Sequence, residues 1–255
     1  MVPSPFFYTV VAGLSTGLGG LLAAAVRPSR RALDACMGFA GGVMLAISLA
    51  DLAPEALAFY GGRMSPAGAG AAAVSLMAAG AVTAALLSGL LPEDAALAGL
   101  CQGDAGRAAV LRAGLAVGAA LVLHNLPEGV LTLFSGAADP ALGRRTALAV
   151  ALHNIPEGLA IAAPLAWATG RRWKAVLAAL ASGLAEPLGA LLAWGLLRGV
   201  LTPALLNGTV AMVAGVMLWV ALAELLPQAL RAGRAGAAGA AAGCLGMLLG
   251  VAMLR

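Results

Sequence analysis

The stretch RAAVLRAGLAVGAALVLHNLPEGVLTLFSGAADPALGRRTALAVALHNIPEGLAIAAPLAWAT, residues 107–169, governs the reading of the whole chain. It contains two apolar runs long enough to cross a hydrocarbon core of about 30 Å, which takes roughly 20 helical residues. Each run carries the same polar insertion near its middle, HNLPEG at 124–129 and HNIPEG at 153–158. Alternating strand patterning is absent, and backbone groups in lipid must be paired internally, so both runs are expected to be helices.

The flanking sequence has the same character. Of the 255 residues, 62% are hydrophobic and 10% charged, and the mean hydropathy of +0.97 lies outside the range of soluble domains. Spans are expected at about 5–26, 33–58, 66–90, 107–135, 143–169, 173–199, 206–230 and 236–254. The fold class is all-α polytopic membrane protein, with eight transmembrane helices forming one transmembrane domain over 1–255. Pro3 and Pro5 precede the first run with no Lys or Arg before it, unlike a secretory signal, so it is read as a retained helix. Cys36, Cys101 and Cys244 have no CxxC spacing and are expected to be neutral packing residues.

Lys and Arg are unevenly divided between the connections. Ten of the 15, including Arg27, Arg30, Arg31, Arg107, Arg112, Arg171, Arg172, Lys174, Arg231 and Arg234, fall on one side; Arg63, Arg144, Arg145, Arg198 and Arg255 fall on the other. The richer side is cytoplasmic by the positive-inside rule, which puts both termini on the outer face. These charges flank helices instead of forming one basic face, which argues against nucleic-acid binding.

Two internal repeats are visible. GVMLAISLADLAPEAL (42–57) matches GVMLWVALAELLPQAL (215–230), aligning Asp51 with Glu224 and Pro54 with Pro227. These helices cross in opposite directions, so the repeat is inverted, a transporter signature. The second repeat is the HNxPEG pair itself, and together they outline a three-two-three arrangement. Gly13/Gly17, Gly38/Gly42, Gly114/Gly118 and Gly246/Gly250 have the spacing of close helix packing, and none is assigned to a dimer.

The chain has two histidines, and both lie inside expected spans. An ionisable residue in the bilayer is costly and points to function. On a helix, residues i and i+4 share a face, so His124 pairs with Glu128 and His153 with Glu157. Asn125 and Asn154 are turned about 100° away and could serve a second ion. Pro127 and Pro156 remove the bonds to the carbonyls of Leu123 and Leu152, and a polar cavity could satisfy those carbonyls. Gly129 and Gly158 would admit a neighbouring backbone. Glu186 in SGLAEPLG could reach the Asn side or bind helix-end amides. Asp51, Glu55 and Glu224 either line the route to the site or are solvated near helix ends. Imidazole, carboxylate and amide without thiolate suits Zn²⁺, Fe²⁺, Mn²⁺ or Co²⁺.

Both motifs, the repeat and the eight spans resemble the ZIP metal transporters, the Zrt/Irt-like proteins, in their bacterial ZupT-like and GufA-like branch. The resemblance implies a binuclear centre midway through the membrane and movement of divalent metal, zinc and also iron, manganese, cobalt or cadmium, into the cytoplasm as substrate, with no cofactor. It implies one ion held by His124, Glu128, His153 and Glu157. The second would be held by Asn125, Asn154 and Glu186, with Glu128 and Glu157 shared. It further implies a multi-pass protein of the bacterial inner membrane and a homodimer. The connection 91–106 lacks the histidine cluster of many relatives; Glu93, Asp94 and Asp104 read there as a solvated turn. The rivals are an intramembrane metalloenzyme such as a protease, although HExxH is absent, and a metal exporter or sensor on the same fold. No GxxxxGK[ST] loop is present, so ATP does not drive the movement.

Overall fold

A computed structural model of the chain describes residues 4–25, 29–197 and 202–254. Pro3, Arg27, Arg198 and Arg255, and the expected span edges at 26 and 198–199, lie outside them. All regular structure among the described residues is helical. Among the described residues, eight helices are long and apolar enough to cross a membrane: α1 Pro5–Ala25, α2 Arg30–Gly61, α3 Pro66–Gly89, α4 Ala105–Ala138, α5 Pro140–Thr169, α6 Arg172–Leu196, α7 Pro203–Arg231 and α8 Arg234–Met253. The chain is an all-α, multi-pass membrane protein, as its composition requires.

Local sequence fixes where these helices start. Ser65-Pro66, Asp139-Pro140 and Thr202-Pro203 each place a capping oxygen before a proline, whose missing N–H costs nothing in the first turn. Ser65 accepts from the Gly68 N–H, Asp139 from Ala141 and Thr202 from Leu205. Asp139 alone separates α4 from α5. One residue cannot carry the chain back across about 30 Å, so the two motif helices run antiparallel.

The inverted repeat is visible in the helices themselves. α2 widens into a π turn at Ser48–Leu52, where the Ala53 N–H reaches the Ser48 carbonyl. α7 does the same at Val220–Leu225, with the Leu226 N–H on Ala221. Both turns lie just before the aligned prolines Pro54 and Pro227, which have no N–H to continue the ladder. Close packing repeats as well. A Cβ on Gly42 would overlap the Ala240 carbonyl and one on Gly243 that of Phe39. Across the other half, Gly215 meets the Met77 carbonyl and Gly80 that of Met212. The α2–α8 contact is thus reproduced by α7–α3.

The helices form two groups. α1, α4, α5 and α6 pack together around the motifs, while α2 and α7 pack against each other and carry α8 and α3 on their outer sides. The groups meet chiefly through α2 on α5 and α7 on α4, a pair that the repeat also relates. The largest apolar core, including Leu33, Met37, Met44, Val117, Leu121, Ile161 and Met217, fills the half of the molecule that holds the α1–α2 and α5–α6 connections.

Of the glycine pairs singled out in the sequence, Gly13, Gly38 and Gly42 meet neighbouring backbone. Gly114 touches Pro164 and Leu165. Gly246 and Gly250 meet nothing within 4 Å, so their spacing has no packing role within the chain. The connection 91–106 is more than a solvated turn: Glu93, Asp94 and Asp104 are exposed, but short helices at Asp94–Leu97 and Ala98–Cys101 bury Leu97 and Cys101 against Ala108, Leu111 and Ala168. The apolar face of this segment takes it off the solvent. The three cysteines are free.

Candidate metal centre

α4 and α5 continue helically through Pro127 and Pro156, so each proline removes one bond without ending its helix. Antiparallel pairing of the two HNxPEG turns brings all four i, i+4 side chains to one point. His153 Nε2 lies 2.6 Å from Glu128 Oε1. His124 Nε2 lies 3.3 Å from the other Glu128 oxygen and 3.2 Å from Glu157 Oε1. The four side chains form a continuous chain, His153–Glu128–His124–Glu157, and all are buried. His124, Glu128 and His153 each offer a ligand atom within 4.8 Å of the others, a group that could hold a metal ion.

Tetrahedral ligands at about 2.1 Å from a zinc ion stand about 3.4 Å apart. The 3.2 and 3.3 Å separations already match that edge. The His153–Glu128 pair would have to open by roughly 0.8 Å to admit an ion between its atoms.

The asparagines flank this cluster and are anchored through their amide nitrogens. Asn125 Nδ2 donates to the Ser182 carbonyl at 3.0 Å, and Asn154 Nδ2 to the Ala12 carbonyl at 3.0 Å. Asn154 also donates to a carboxylate oxygen of Glu186. Glu186 is thus joined to the Asn side and fully buried. Its helix makes a break at Leu184 just ahead of Glu186-Pro187, with the Leu184 N–H turned back to Leu180. Gly129 and Gly158 admit neighbouring backbone: a Cβ on Gly129 would overlap the Glu186 carbonyl, and one on Gly158 the Thr16 carbonyl.

The unsatisfied atoms concentrate in the same place. His124 Nδ1, His153 Nδ1, the side-chain oxygens of Asn125 and Asn154, Glu157 Oε2 and one oxygen of Glu186 are buried with no partner, while His124 Nε2, Glu157 Oε1 and the second Glu128 oxygen meet only one another, at 3.2 and 3.3 Å. Buried polar groups are normally paired, because an unpaired one costs about 1–3 kcal/mol. Such a density of buried acceptors in a membrane interior could receive a cation.

Asp51, Glu55 and Glu224 are not brought into this cluster. Glu55 is exposed, and Asp51 and Glu224 are half-buried in the paired π turns. Because α2 and α7 run in opposite directions, the two acids lie toward opposite faces of the molecule.

Sequence reading missed the support from α1. Residues 12–23 and 182–193 are a third repeat, AGLSTGLGGLLA against SGLAEPLGALLA, and it aligns Ala12 with Ser182, the two asparagine anchors. It also missed Asp34, buried beside Arg30 at 3.2 Å. The Arg30 guanidinium lies 5.0 Å over the Trp167 ring, which Arg107 approaches at 5.4 Å.

The family model described as ZIP zinc transporter matches residues 100–254, which hold both motifs and Glu186. The chain belongs to the ZIP family. Among its ZIP relatives, the zinc transporter ZupT of Corynebacterium efficiens is 38% identical, over 89% of this chain and 88% of the relative. That of Akkermansia muciniphila is 40% identical over 89% and 88%, and that of Escherichia fergusonii 39% identical over 88% and 86%. The likeness to these relatives therefore extends well beyond residues 100–254, over nearly nine tenths of the chain.

Proposed function

We propose that this protein moves divalent transition metal, zinc foremost and iron, manganese, cobalt or cadmium by the same chemistry, into the cytoplasm through a two-ion site between α4, α5 and α6. The observation that carries this reading is the buried set of unpartnered imidazole, carboxylate and amide atoms contributed by both HNxPEG turns. An ion offers those lone pairs the partner that the bilayer cannot. His124, Glu128, His153 and Glu157 hold the first ion. Asn125, Asn154 and Glu186 hold the second, with Glu128 and Glu157 shared. That the named relatives are zinc transporters supports transport over the metalloenzyme alternative.

A hydrated ion enters from the outer face, sheds water into the cage and leaves inward as the two helix groups shift about α4 and α5. Asp51, Glu55 and Glu224 serve the route. The whole chain acts as one transport domain in the bacterial inner membrane, with both termini outside, following the excess of Lys and Arg on the opposite connections. A homodimer completes the reading, with the sparsely covered α3 and α8 presenting Val74, Val82, Leu86, Leu245 and Leu249 to lipid or a second copy.

Zinc loading of proteoliposomes tests the site. Inward flux falls at least tenfold in the His124→Ala/His153→Ala double variant; flux equal to the unaltered protein would remove the site assignment. Metal binding without flux would mark a sensor, and outward-only flux an exporter; either would overturn uptake.

A further inference from the structure

The third repeat has a consequence for the site itself. A shift of 170 positions takes Gly13 to Gly183, Gly19 to Gly189 and Thr16 to Glu186. The packing obeys the same shift. A Cβ on Gly19 would overlap the Ile155 carbonyl, and one on Gly189 that of Leu126, its counterpart in the other motif. The Thr16 carbonyl lies against Gly158 just as the Glu186 carbonyl lies against Gly129. Gly13 and Gly183 each fill the place where the other's Cβ would stand. α1 therefore meets α5 as α6 meets α4, and Thr16 occupies on one side of the centre the position that Glu186 occupies on the other.

The Thr16 side chain is fully buried and its Oγ1 has no partner. A helical threonine ordinarily turns its hydroxyl onto the carbonyl four residues back. Here that carbonyl, Ala12, already accepts from Ser15 Oγ at 2.5 Å and from Asn154 Nδ2 at 3.0 Å. The hydroxyl sits instead against Gly183, 2.9 Å from where a Cβ there would be. Gly183 follows Ser182, whose carbonyl anchors Asn125. Asn154 Nδ2 meets a carboxylate on its side, and the Thr16 hydroxyl, like the side-chain oxygens of Asn125 and Asn154, keeps no partner.

We propose that Thr16 is a selectivity-determining residue of the cargo site, its neutral hydroxyl supplying the α1 oxygen that mirrors the Glu186 carboxylate. This rests on the two-ion reading above. One charged and one neutral position leave the site lopsided. A hydroxyl is a hard donor, which favours Mn²⁺ and Zn²⁺ over the softer Cd²⁺ relative to a site without it.

Competition uptake into proteoliposomes over Zn²⁺, Mn²⁺ and Cd²⁺ tests it. Thr16→Val keeps the shape and removes the oxygen; it raises the KM for Zn²⁺ about fivefold and lowers Mn²⁺ uptake relative to Cd²⁺. Thr16→Ser restores the original order, and Thr16→Cys shifts preference toward Cd²⁺. Should Thr16→Val not fold, the Ser and Cys variants decide alone. Unchanged preference in Thr16→Val and Thr16→Cys, with flux still abolished by His124→Ala/His153→Ala, would refute the role of Thr16 and leave the site intact. Flux surviving the double histidine change would refute both.

Discussion

Glu128 divides its two oxygens between two histidines, 2.6 Å from His153 and 3.3 Å from His124, and stands at the junction of the proposed ion positions. Glu128→Gln keeps the volume and removes the charge, so zinc flux falls more than tenfold with little change in folding; near-normal flux would place the ion elsewhere. Asn154→Ala acts differently, since it leaves buried Glu186 without its amide partner and costs about 1–3 kcal/mol, read as a lower melting temperature in detergent. Imidazole and carboxylate must be deprotonated to bind metal, so protons compete with the ion and zinc affinity falls as pH drops below roughly 6. Uptake that holds steady there would contradict ligation by these residues. The sequence disclosed His124, Glu128, His153 and Glu157 because histidine is so rare in this chain and recurs in one pattern. Thr16 stayed hidden because a threonine in an apolar helix carries no signal until α1 is aligned with α6.

Among the elements, α4–α6 and α5–α1 are brought together by glycine. Gly129→Ala pushes its Cβ into the Glu186 carbonyl, must part α4 from α6, and is predicted to destabilise the protein by about 1–3 kcal/mol and to reduce transport. Gly246→Ala, with nothing within 4 Å, leaves both unchanged. Equal melting temperatures for the two variants would contradict the packing account. Helix class and number were legible from apolar run length alone, because lipid admits no other backbone solution. The π turns at Ser48–Leu52 and Val220–Leu225 were not, although the aligned prolines mark them: a proline announces a missing bond without saying whether the chain kinks, breaks or widens its ladder.

Over the whole molecule, buried side chains lie on either side of the centre. One turn beyond Glu128 stands buried Thr132, and one turn beyond Glu157 stands buried Ile161, within the large apolar core. The proposed transport has the group α1, α4, α5 and α6 move against α2, α3, α7 and α8. Arg30 and Trp167 span that boundary, whereas Ala24 and Arg172 touch inside one group. In a background lacking the native cysteines, a short bifunctional thiol reagent across Arg30→Cys and Trp167→Cys stops zinc flux, and the same reagent across Ala24→Cys and Arg172→Cys does not. Loss of flux in both, or in neither, would contradict movement at that boundary. The inverted architecture was readable from one repeat in the sequence; the division into two groups depends on packing partners that no single stretch reveals.

Zinc-edge X-ray absorption of the metal-loaded protein tests most directly whether the buried cluster holds the cargo. The expected spectrum has only nitrogen and oxygen neighbours at about 2.0–2.2 Å. It also has imidazole scattering that disappears in His124→Ala/His153→Ala. A sulfur shell at about 2.3 Å, or imidazole scattering that survives the double change, would contradict the assignment.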